Sequence, residues 1–358
     1  MQHYLSASIQ FSRGCPFRCE FCDIIVTFGR RPRLKRTEQV IDELEALRTR
    51  GVRSVFIVDD NLIGNKREIK KVLRKVIEYQ KNHRYPFRLF TETSLDLAED
   101  DELMELMVEA NITRVFIGIE SPNEASLKET KKLQNIGKKA TLIERVHRIQ
   151  DAGLEVSAGM IMGFDSDSSN VFESHINFIR EARIIKAMAG MLYAIPKTPL
   201  YARLAADCRI DEDDLSEYGT NVIPLRLSRD ELRDGYIRVM LALYDPNAFF
   251  DRVESLFLRR EVQFGRSAQF LRRSAPFAWV GRGLLNGVVA INRLTRLLIS
   301  VPDKTLARFY LSKILRFAIA RPDPNLILYI VTTCAFHYHA HTLAKNLGEH
   351  SDSLVSTI

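Results

Sequence analysis

The chain has 358 residues, of which 46% are hydrophobic, and this composition excludes an intrinsically disordered protein. Its length suits one large domain or a barrel with an appended domain. The formal net charge is +7, and between residues 252 and 321 there are fourteen Lys or Arg against three Asp or Glu. Such a bias points to an anionic partner, namely a lipid surface, nucleic acid or phosphate, unless it is simply a solvated basic face.

The start of the sequence and its most apolar late run bear on where the protein is expected to be located. Residues 1–5 contain no basic region followed by an apolar stretch, so no secretory signal is predicted. The most apolar late run, 326–335, is too short to span a membrane. Two cysteines, Cys208 and Cys334, stand alone in the sequence, which is typical of ordinary thiols. We therefore expect a cytoplasmic, reducing location.

The first predicted strand, 8–11, leads into three of the five cysteines, Cys15, Cys19 and Cys22, spaced C-x₃-C-x₂-C. Thiolates this close together suit a soft metal centre such as an iron–sulfur cluster. A structural zinc site needs a fourth ligand, usually within a second pair of cysteines, and a disulfide framework needs an oxidising compartment. Three ligands leave one iron free, so the spacing predicts a reactive cluster rather than an electron-transfer relay.

A weak internal repeat follows the cysteines. Residues 43–59 and 102–120 each read as a helix, a Gly51 or Asn111 able to take a left-handed C-terminal cap, and a buried β-rich run. Strands that alternate with helices predict a parallel sheet, and six such units favour a partial or full barrel over a doubly wound sheet. The predicted strands are 8–11, 55–59, 87–91, 115–120, 154–162 and 187–193.

Polar residues recur where the predicted strands end. The cysteines follow the first strand, and the residues at the next four strand ends are listed below. Because the carboxyl ends of parallel strands meet at one face of a barrel, we expect all of them to converge on one mouth. Each could separately be a helix N-cap, so their shared position is what predicts a site. The residues are Asp59, Asp60 and Asn61, then Glu92, then Glu120 and Ser121, and finally Gly163, Phe164 and Asp165.

The repeat stops near residue 227. Ser228 and Glu231 are spaced as a capping box that opens a helix, and prolines divide the remainder into further helices. The sequence thus predicts a barrel domain over 1–227 and a helical domain over 228–358. Basic residues and an apolar set in this tail suit peripheral contact with the inner face of an anionic membrane, or else packing on the barrel. That set is Phe277, Trp279, Leu284, Leu285, Leu297 and Leu298.

Two other patterns hint at metals. His337, His339 and His341 alternate as ligands do on a strand, but the surrounding pattern is helical or irregular, which favours packed or surface histidines. The acidic loop 165–169 lacks the glycine and terminal glutamate of a calcium loop, which favours a turn and N-cap before a helix.

The cysteine motif within a βα repeat resembles the radical S-adenosylmethionine superfamily, and Phe21 matches the aromatic residue usual before the last cysteine. The resemblance implies a partial (β/α)6 barrel followed by a helical C-terminal domain. It also implies that Cys15, Cys19 and Cys22 ligate three irons of a 4Fe–4S cluster and that S-adenosylmethionine chelates the fourth. Reductive cleavage would then give methionine and a 5′-deoxyadenosyl radical, with the electron supplied by a donor such as a flavodoxin or ferredoxin.

Four segments, 8–17, 56–66, 116–122 and 163–167, are similar to the cobalamin-dependent subgroup that includes the hopanoid C-2 methylases. This similarity runs from about residue 8 to residue 246. It implies a methyltransferase that acts on a small molecule or on an unactivated carbon of a lipid such as a hopanoid.

The same resemblance assigns cofactor-binding positions around S-adenosylmethionine. Asp59, Asp60 and Asn61 would approach its amino group. Glu92 and Glu120 would reach the ribose or the methionine part. Gly163, beside Met162, would let the backbone approach the adenine.

One departure concerns cobalamin. Subgroup members usually carry an amino-terminal cobalamin domain, whereas this chain starts just before the first strand. We therefore expect a fragment, a split-gene product or an enzyme that no longer uses cobalamin. Two other functions stay open. One is action on RNA, as by methylthiotransferases, although a second cysteine trio and a β-rich tail are missing from the sequence and make nucleic acid a poor partner. The other is a non-catalytic cluster-bearing subunit of a separate cobalamin protein.

Overall fold

The computed structural model describes residues 6–137, 139–211, 219–260, 262 and 267–349. Residues 1–5, on which the expected lack of a secretory signal depends, lie outside this part. The strands are β1 (Ala7–Ile9), β2 (Ser12–Arg13), β3 (Arg33–Leu34), β4 (Ser54–Ile57), β5 (Arg88–Thr93), β6 (Ile112–Glu120), β7 (Glu155–Met162) and β8 (Ala187–Met191).

Six of these strands form one parallel sheet in the order β1-β4-β5-β6-β7-β8. Each strand lies beside the next strand of the sheet along the chain, without the reversal of order that defines a doubly wound sheet. No ladder joins β1 to β8 among the described residues, so the barrel stays open between them. The predicted partial barrel of six βα units is confirmed.

The helices of the barrel half and of the C-terminal region alternate with or follow these strands. They are α1 (Ile24–Thr27), α2 (Thr37–Thr49), α3 (Lys66–Asn82), α4 (Asp101–Glu109), α5 (Glu124–Glu129), α6 (Leu142–Ala152), α7 (Val171–Glu181), α8 (Pro199–Ala206), α9 (Arg229–Leu243), α10 (Pro246–Glu254), α11 (Ser267–Ser274), α12 (Pro276–Ser300), α13 (Lys304–Ala320) and α14 (Pro324–Glu349). None of these described helices is both long enough and apolar enough to cross a membrane.

Local sequence explains where the elements begin and end. In α3 the Asn65 side chain accepts a hydrogen bond from the Glu68 backbone N–H at 3.2 Å, which caps the first turn. Its apolar residues Ile69, Val72 and Leu73 are buried at helical spacing. The predicted left-handed caps are confirmed, since Gly51 has a φ of 75° and Asn111 a φ of 64°.

The two faces of the sheet differ in burial. Along β4, Val55 and Ile57 are buried against helices, whereas the alternating Phe56 is half-buried on the inner face. Phe56 stacks on Phe90 of β5 with ring centroids 4.9 Å apart, and the Arg114 guanidinium lies 4.7 Å from the Phe90 centroid. The inner face therefore forms an aromatic groove that the chain only partly covers.

The C-terminal helices pack against the barrel. Ser228 and Glu231 form the predicted capping box at the start of α9, with Glu231 N donating to Ser228 Oγ at 3.0 Å. The Tyr244 hydroxyl donates to the Ala187 carbonyl at 2.6 Å, and the Tyr329 hydroxyl donates to Glu155 at 2.8 Å. One apolar core continues from the sheet into α9, α10, α12, α13 and α14. The domain boundary between residues 227 and 228 stays a prediction.

The histidines of α14 have packing and surface roles, as predicted. His337 is fully buried, and its Nδ1 accepts a hydrogen bond from the Tyr310 hydroxyl at 2.6 Å. His337 and His341 both contact the Tyr244 carbonyl, at 3.1 and 2.9 Å, while His339 is exposed.

The burial of side chains on α12 differs in part from what was expected for membrane contact. Leu297 is buried, because its side of the helix packs toward α14, so the expectation that this leucine faces a membrane is wrong, whereas Leu298 is half-buried. We call the opposite side the outer face of α12. Its exposed apolar residues are Phe277, Val280, Leu284, Leu285, Val288, Ile291 and Ile299.

Candidate functional site

The cysteines lie on one loop at the carboxyl edge of the sheet. The loop leaves β2, which pairs antiparallel with β3, and Gly14 opens it with a φ of +101°. A Cβ at Gly14 would lie 2.8 Å from the Gly29 carbonyl oxygen, closer than real Cβ contacts. Cys15 N donates to that same carbonyl at 3.4 Å. The loop therefore requires glycine at this position.

The three thiols share one partly buried environment. Burial raises the pKa of the Cys22 thiol to about 11, and the neighbouring Cys19 and Cys15 add to the increase. Burial also raises the pKa of Cys15. The side-chain amide of Asn61 lies 3.8 Å from Cys15 Sγ, and that of Gln134 lies 3.5 Å from Cys19 Sγ. N–H donors directed at sulfur favour the thiolate form, which is the form that ligates metal.

The donor set on this loop fits an iron–sulfur cluster. In the described part of the chain, no three His, Cys, Asp or Glu side chains are close enough to bind one metal ion. A single zinc would require sulfurs within about 4 Å of each other, given Zn–S bonds of about 2.3 Å. A 4Fe–4S cluster spans four irons and holds its cysteines farther apart. Three cysteines on one loop, with N–H donors at their sulfurs, therefore fit the predicted cluster.

Asp59 and Asp60 hold the start of the cysteine loop. The Asp59 carboxylate accepts from Phe11 N and Ser12 N, both at 2.7 Å, and from Ser12 Oγ at 2.5 Å. Burial raises the pKa of Asp59 to about 6, against these hydrogen bonds. Asp60 accepts from Gly14 N at 2.8 Å. Both carboxylates therefore tie the loop to the end of β4.

The next two predicted polar groups are Asn61, which follows β4, and Glu92, which lies on β5. Asn61, besides its contact with Cys15, donates to Ser94 Oγ at 3.1 Å and so connects the loop to the segment after β5. Glu92 is half-buried and, among the described residues, has no hydrogen-bond partner for its carboxylate. Burial and the charge of Asp60 raise the pKa of Glu92. Glu92 is thus a carboxylate available to a ligand at the mouth.

Glu120 forms a buried ion pair that the sequence did not reveal. Its φ of 68° is unusual for a residue with a side chain. Its Oε1 lies 2.7 Å from Nζ of Lys132, and both side chains are buried. Burial disfavours the ammonium, but Glu120 and the nearby thiols keep the pKa of Lys132 above its ordinary value. Lys132 and Gln134 were missed because no spacing distinguishes them from surface residues.

Phe21 contacts the segment after β7. Its ring centroid lies 6.3 Å from that of Phe164 and 5.8 Å from Nζ of Lys132. Gly163 has a φ of +105°, and a Cβ there would lie 2.7 Å from a methyl group of Leu232. The glycine therefore gives α9 room to pack beneath the mouth.

The acidic loop after β7 is a turn, as predicted. The Asp165 carboxylate pairs with Arg203 and Arg209 at 2.7 and 2.5 Å. Asp167 accepts from the backbone N–H groups of Gly163 and Phe164 at 2.9 and 3.0 Å. Protein donors thus already engage both carboxylates, and the helix cap is instead Asn170.

Glu20 fixes the far side of the cysteine loop. Its carboxylate pairs with Lys131 at 2.6 Å, and its backbone N–H donates to the Thr130 carbonyl at 2.9 Å. Its own carbonyl accepts from Leu200 N at 3.0 Å. Sequence reasoning missed Glu20 because its partners are distant in the chain. The loop is therefore anchored to β4 on one side and to α5 and α8 on the other.

Two families match the chain. Residues 9–179 match the Radical SAM superfamily, and residues 198–352 match a domain of unknown function, DUF4070.

Curated relatives match most of the chain. An uncharacterised methyltransferase of Synechocystis sp. is 44% identical over 261 residues, which are 72% of this chain and 48% of the relative. The hopanoid C-2 methylase of Rhodopseudomonas palustris is 38% identical over 252 residues, or 70% of this chain and 47% of the relative. The chain thus spans about half the length of these relatives.

A solved structure shares the fold. The methyltransferase TsrM from Kitasatospora setae, solved with cobalamin and a [4Fe–4S] cluster bound, superposes with a TM-score of 0.51. Its sequence identity is 18%, and the match covers 59% of this chain and 38% of TsrM. This likeness agrees with the expected barrel.

Proposed function

The chain belongs to the radical S-adenosylmethionine superfamily, and we propose that it cleaves S-adenosylmethionine reductively and methylates an unactivated carbon of a lipid-like substrate. The observation that supports this most is the anchored loop with Cys15, Cys19 and Cys22 at the mouth of an open barrel. When bound there, the cluster supplies the electron that breaks a carbon–sulfur bond of S-adenosylmethionine.

The residues at the mouth divide into anchors and ligand contacts. We assign Asp59 to holding the loop, because three donors already occupy its carboxylate. Glu92, whose carboxylate has no described partner, is assigned to the ribose hydroxyls of S-adenosylmethionine. Asp60 and Asn61 would contact its amino group, and Glu120 its methionine part.

The adenine would lie near the end of β7. We propose that it approaches the backbone of Gly163 beside Met162, with Phe21 nearby. Leu232 occupies the side of Gly163 where a Cβ would project, so the base would have to approach from another direction.

A lipid-like substrate is supported by apolar side chains at the open side of the barrel. Large apolar residues are exposed on β8, on the segments after β4 and β8, and between α8 and α9, including Met188 at 71% and Leu225 at 63%. Large exposed apolar side chains are typical of a surface that contacts an apolar ligand. The others are Val58, Tyr193, Ile195 and Ile223.

The decisive experiment is anaerobic reconstitution of the full chain with iron and sulfide, followed by S-adenosylmethionine and dithionite. We expect 5′-deoxyadenosine and methionine in equal amounts. Cys19→Ala should lose bound iron and the visible absorbance of the cluster, whereas Cys208→Ala, at an exposed isolated cysteine, should retain both. A cluster that forms but never cleaves S-adenosylmethionine would show that the chain alone is a cluster-bearing subunit.

The methylation step needs its own test. We propose that cobalamin and a flavodoxin- or ferredoxin-type electron donor take part in methyl transfer, because curated relatives of the chain are named as a methyltransferase and a methylase. Labelled methyl groups should pass from S-adenosylmethionine to a hopanoid when these components are added. Cleavage of S-adenosylmethionine without methyl transfer in their presence would overturn the lipid methylation but not the radical chemistry.

We further propose peripheral contact between the outer face of α12 and an anionic membrane. Seven large apolar side chains are exposed on this face, and residues 267–301 contain five arginines and no Asp or Glu. An apolar face bordered by arginines is typical of helices that lie in the interface of an anionic bilayer. The mixture suits phospholipid better than RNA, whose phosphates call for a continuous basic surface.

The membrane proposal can be tested by co-sedimentation with vesicles of phosphatidylglycerol or phosphatidylcholine. Binding should occur with the anionic vesicles at low salt and weaken as salt increases. Leu284→Glu should abolish it, whereas Leu241→Glu, at a 41% exposed leucine of α9, should not. Absence of binding at low salt, or a dimer that buries α12, would contradict the proposal.

A further inference from the structure

We infer that Lys132 and Gln134 raise the reduction potential of the bound cluster, so that the cysteine loop receives its electron more readily. The inference rests on the proposed cluster at Cys15, Cys19 and Cys22. Neither residue lies in the cysteine motif, and both come from the segment between α5 and α6.

Lys132 places a buried positive charge beside the cysteines. Its Nζ lies 5.8 Å from the ring centroid of Phe21, the residue directly before Cys22. Strand β6 makes room for the ion pair, since a Cβ at Gly118 would lie 2.8 Å from this Nζ and 2.2 Å from Glu120 Oε1. The glycine therefore creates the space that the lysine and its carboxylate partner occupy.

Gln134 places an N–H donor on one thiol. Its Nε2 lies 3.5 Å from Cys19 Sγ, and the side chain is buried. The backbone around it is fixed by Arg145, whose guanidinium donates to the carbonyls of Gln134 and Asn135 at 3.0 and 3.2 Å. Arg145 is itself 2% exposed, so this support is shielded from water.

Electrostatics gives the direction of the effect. Reduction adds one electron to the cluster, taken from an external donor such as dithionite, and no bond at Lys132 or Gln134 breaks. A fixed cation and an N–H donor at sulfur stabilise the added negative charge more than the oxidised state. Burial keeps water from screening the interaction. Glu120 opposes this effect, but its pairing oxygen is directed at the ammonium.

The test is a redox titration of the reconstituted full chain, followed by electron paramagnetic resonance without S-adenosylmethionine. The variant E120Q/K132M removes both charges without leaving a buried carboxylate unpaired. At a fixed potential, we expect its ratio of reduced to oxidised cluster to fall about tenfold, equivalent to about 59 mV for one electron. Lys132→Arg keeps the charge and should stay within about threefold of the unmodified protein.

Gln134→Leu tests the hydrogen bond separately and should lower the ratio by about threefold, a loss of less than 1 kcal/mol. Unchanged ratios in E120Q/K132M and Gln134→Leu, at full iron content, would overturn the inference. Loss of iron from E120Q/K132M together with an unchanged ratio in Gln134→Leu would also overturn the inference, because the residues would then have only a structural role. If the unmodified chain forms no cluster, the proposed function itself fails.

Discussion

The carboxyl edge of the sheet buries polar side chains, whereas the outer face of α12 exposes apolar ones. At the edge, the buried carboxylates of Asp59 and Asp167 accept backbone N–H groups from the loops. On α12, apolar side chains such as Leu284 and Ile299 are 69% and 76% exposed.

This contrast separates two requirements. Burying a carboxylate is unfavourable unless it is hydrogen-bonded, so each such group fixes its loop in one position. Reactive groups need that precision. A soft surface such as a bilayer needs none, because apolar side chains contact it without directional bonds. We therefore expect substitutions at the edge to change the free energy of unfolding strongly, and substitutions on the outer face of α12 to change it little.

Asp59→Ala should have the largest effect. It leaves the N–H groups of Phe11 and Ser12 buried without acceptors, which should lower the free energy of unfolding by about 4 kcal/mol and reduce iron uptake. Urea unfolding and iron analysis measure both. Asp101→Ala, at an exposed partner of Arg148, should cost less than about 1 kcal/mol. Equal effects at the two positions would contradict the anchoring role.

Gly14→Ala should have the next largest effect: it should lower the free energy of unfolding by about 3 kcal/mol and reduce the iron content. The new methyl group meets the Gly29 carbonyl in addition to the strain of a left-handed φ. Gly51→Ala is the matched control, because Gly51 has a φ of 75° but open space around it, and it should cost about 1 kcal/mol. Thermal and urea unfolding measure both losses of stability, and their difference gives the contribution of steric contact beyond backbone strain. Similar losses in Gly14→Ala and Gly51→Ala would show that crowding at Gly14 is unimportant.

His175→Leu should stabilise the protein by about 1–2 kcal/mol, since neither ring nitrogen of this buried residue has a hydrogen-bond partner among the described residues. Burial lowers the pKa of His175 to about 4, against 6.5 for an ordinary histidine. The unfolded chain therefore binds the proton more tightly, and stability is lost as pH falls from about 6.5 towards 4.

The leucine removes this part of the acid sensitivity. Urea unfolding at pH 7.5 and pH 5 should show a smaller difference in the variant than in the unmodified protein. His339→Leu, at an exposed histidine, is the control and should leave the difference unchanged. A steeper pH dependence in His175→Leu would mean that the ring is charged in the folded state.

Leu284→Ser should have the smallest effect, within about 0.5 kcal/mol, because the side chain is 69% exposed. Leu297→Ser on the same helix should cost about 3 kcal/mol, since Leu297 is 6% exposed. Helical circular dichroism during heating measures both. A large cost at Leu284 would mean that the outer face packs against protein.

Much of this architecture could be predicted from the sequence, because periodicity and caps are local. Gly51 and Asn111 mark helix ends by their backbone preference, and Ser228 with Glu231 marks the start of α9. The convergence of strand ends followed from the parallel sheet alone.

The supporting contacts could not be predicted, because they join residues far apart in the chain. Gln134 meets Cys19 across 115 positions, and Arg203 meets Glu20 across 183. Asp59 was expected to approach a ligand, whereas its oxygens serve the loop. Pattern alone also could not distinguish Leu284 from Leu297, which lie on opposite sides of α12.

The gap between β1 and β8 has a consequence for how molecules are selected. A closed ring of strands would admit only what fits through its end, so cross-section would limit every guest. In the described part of the chain no ladder closes this side, so under the proposed function a long molecule would place a single carbon inside while the rest of it projects laterally. Discrimination then depends on what surrounds the reacting carbon rather than on the total size of the molecule.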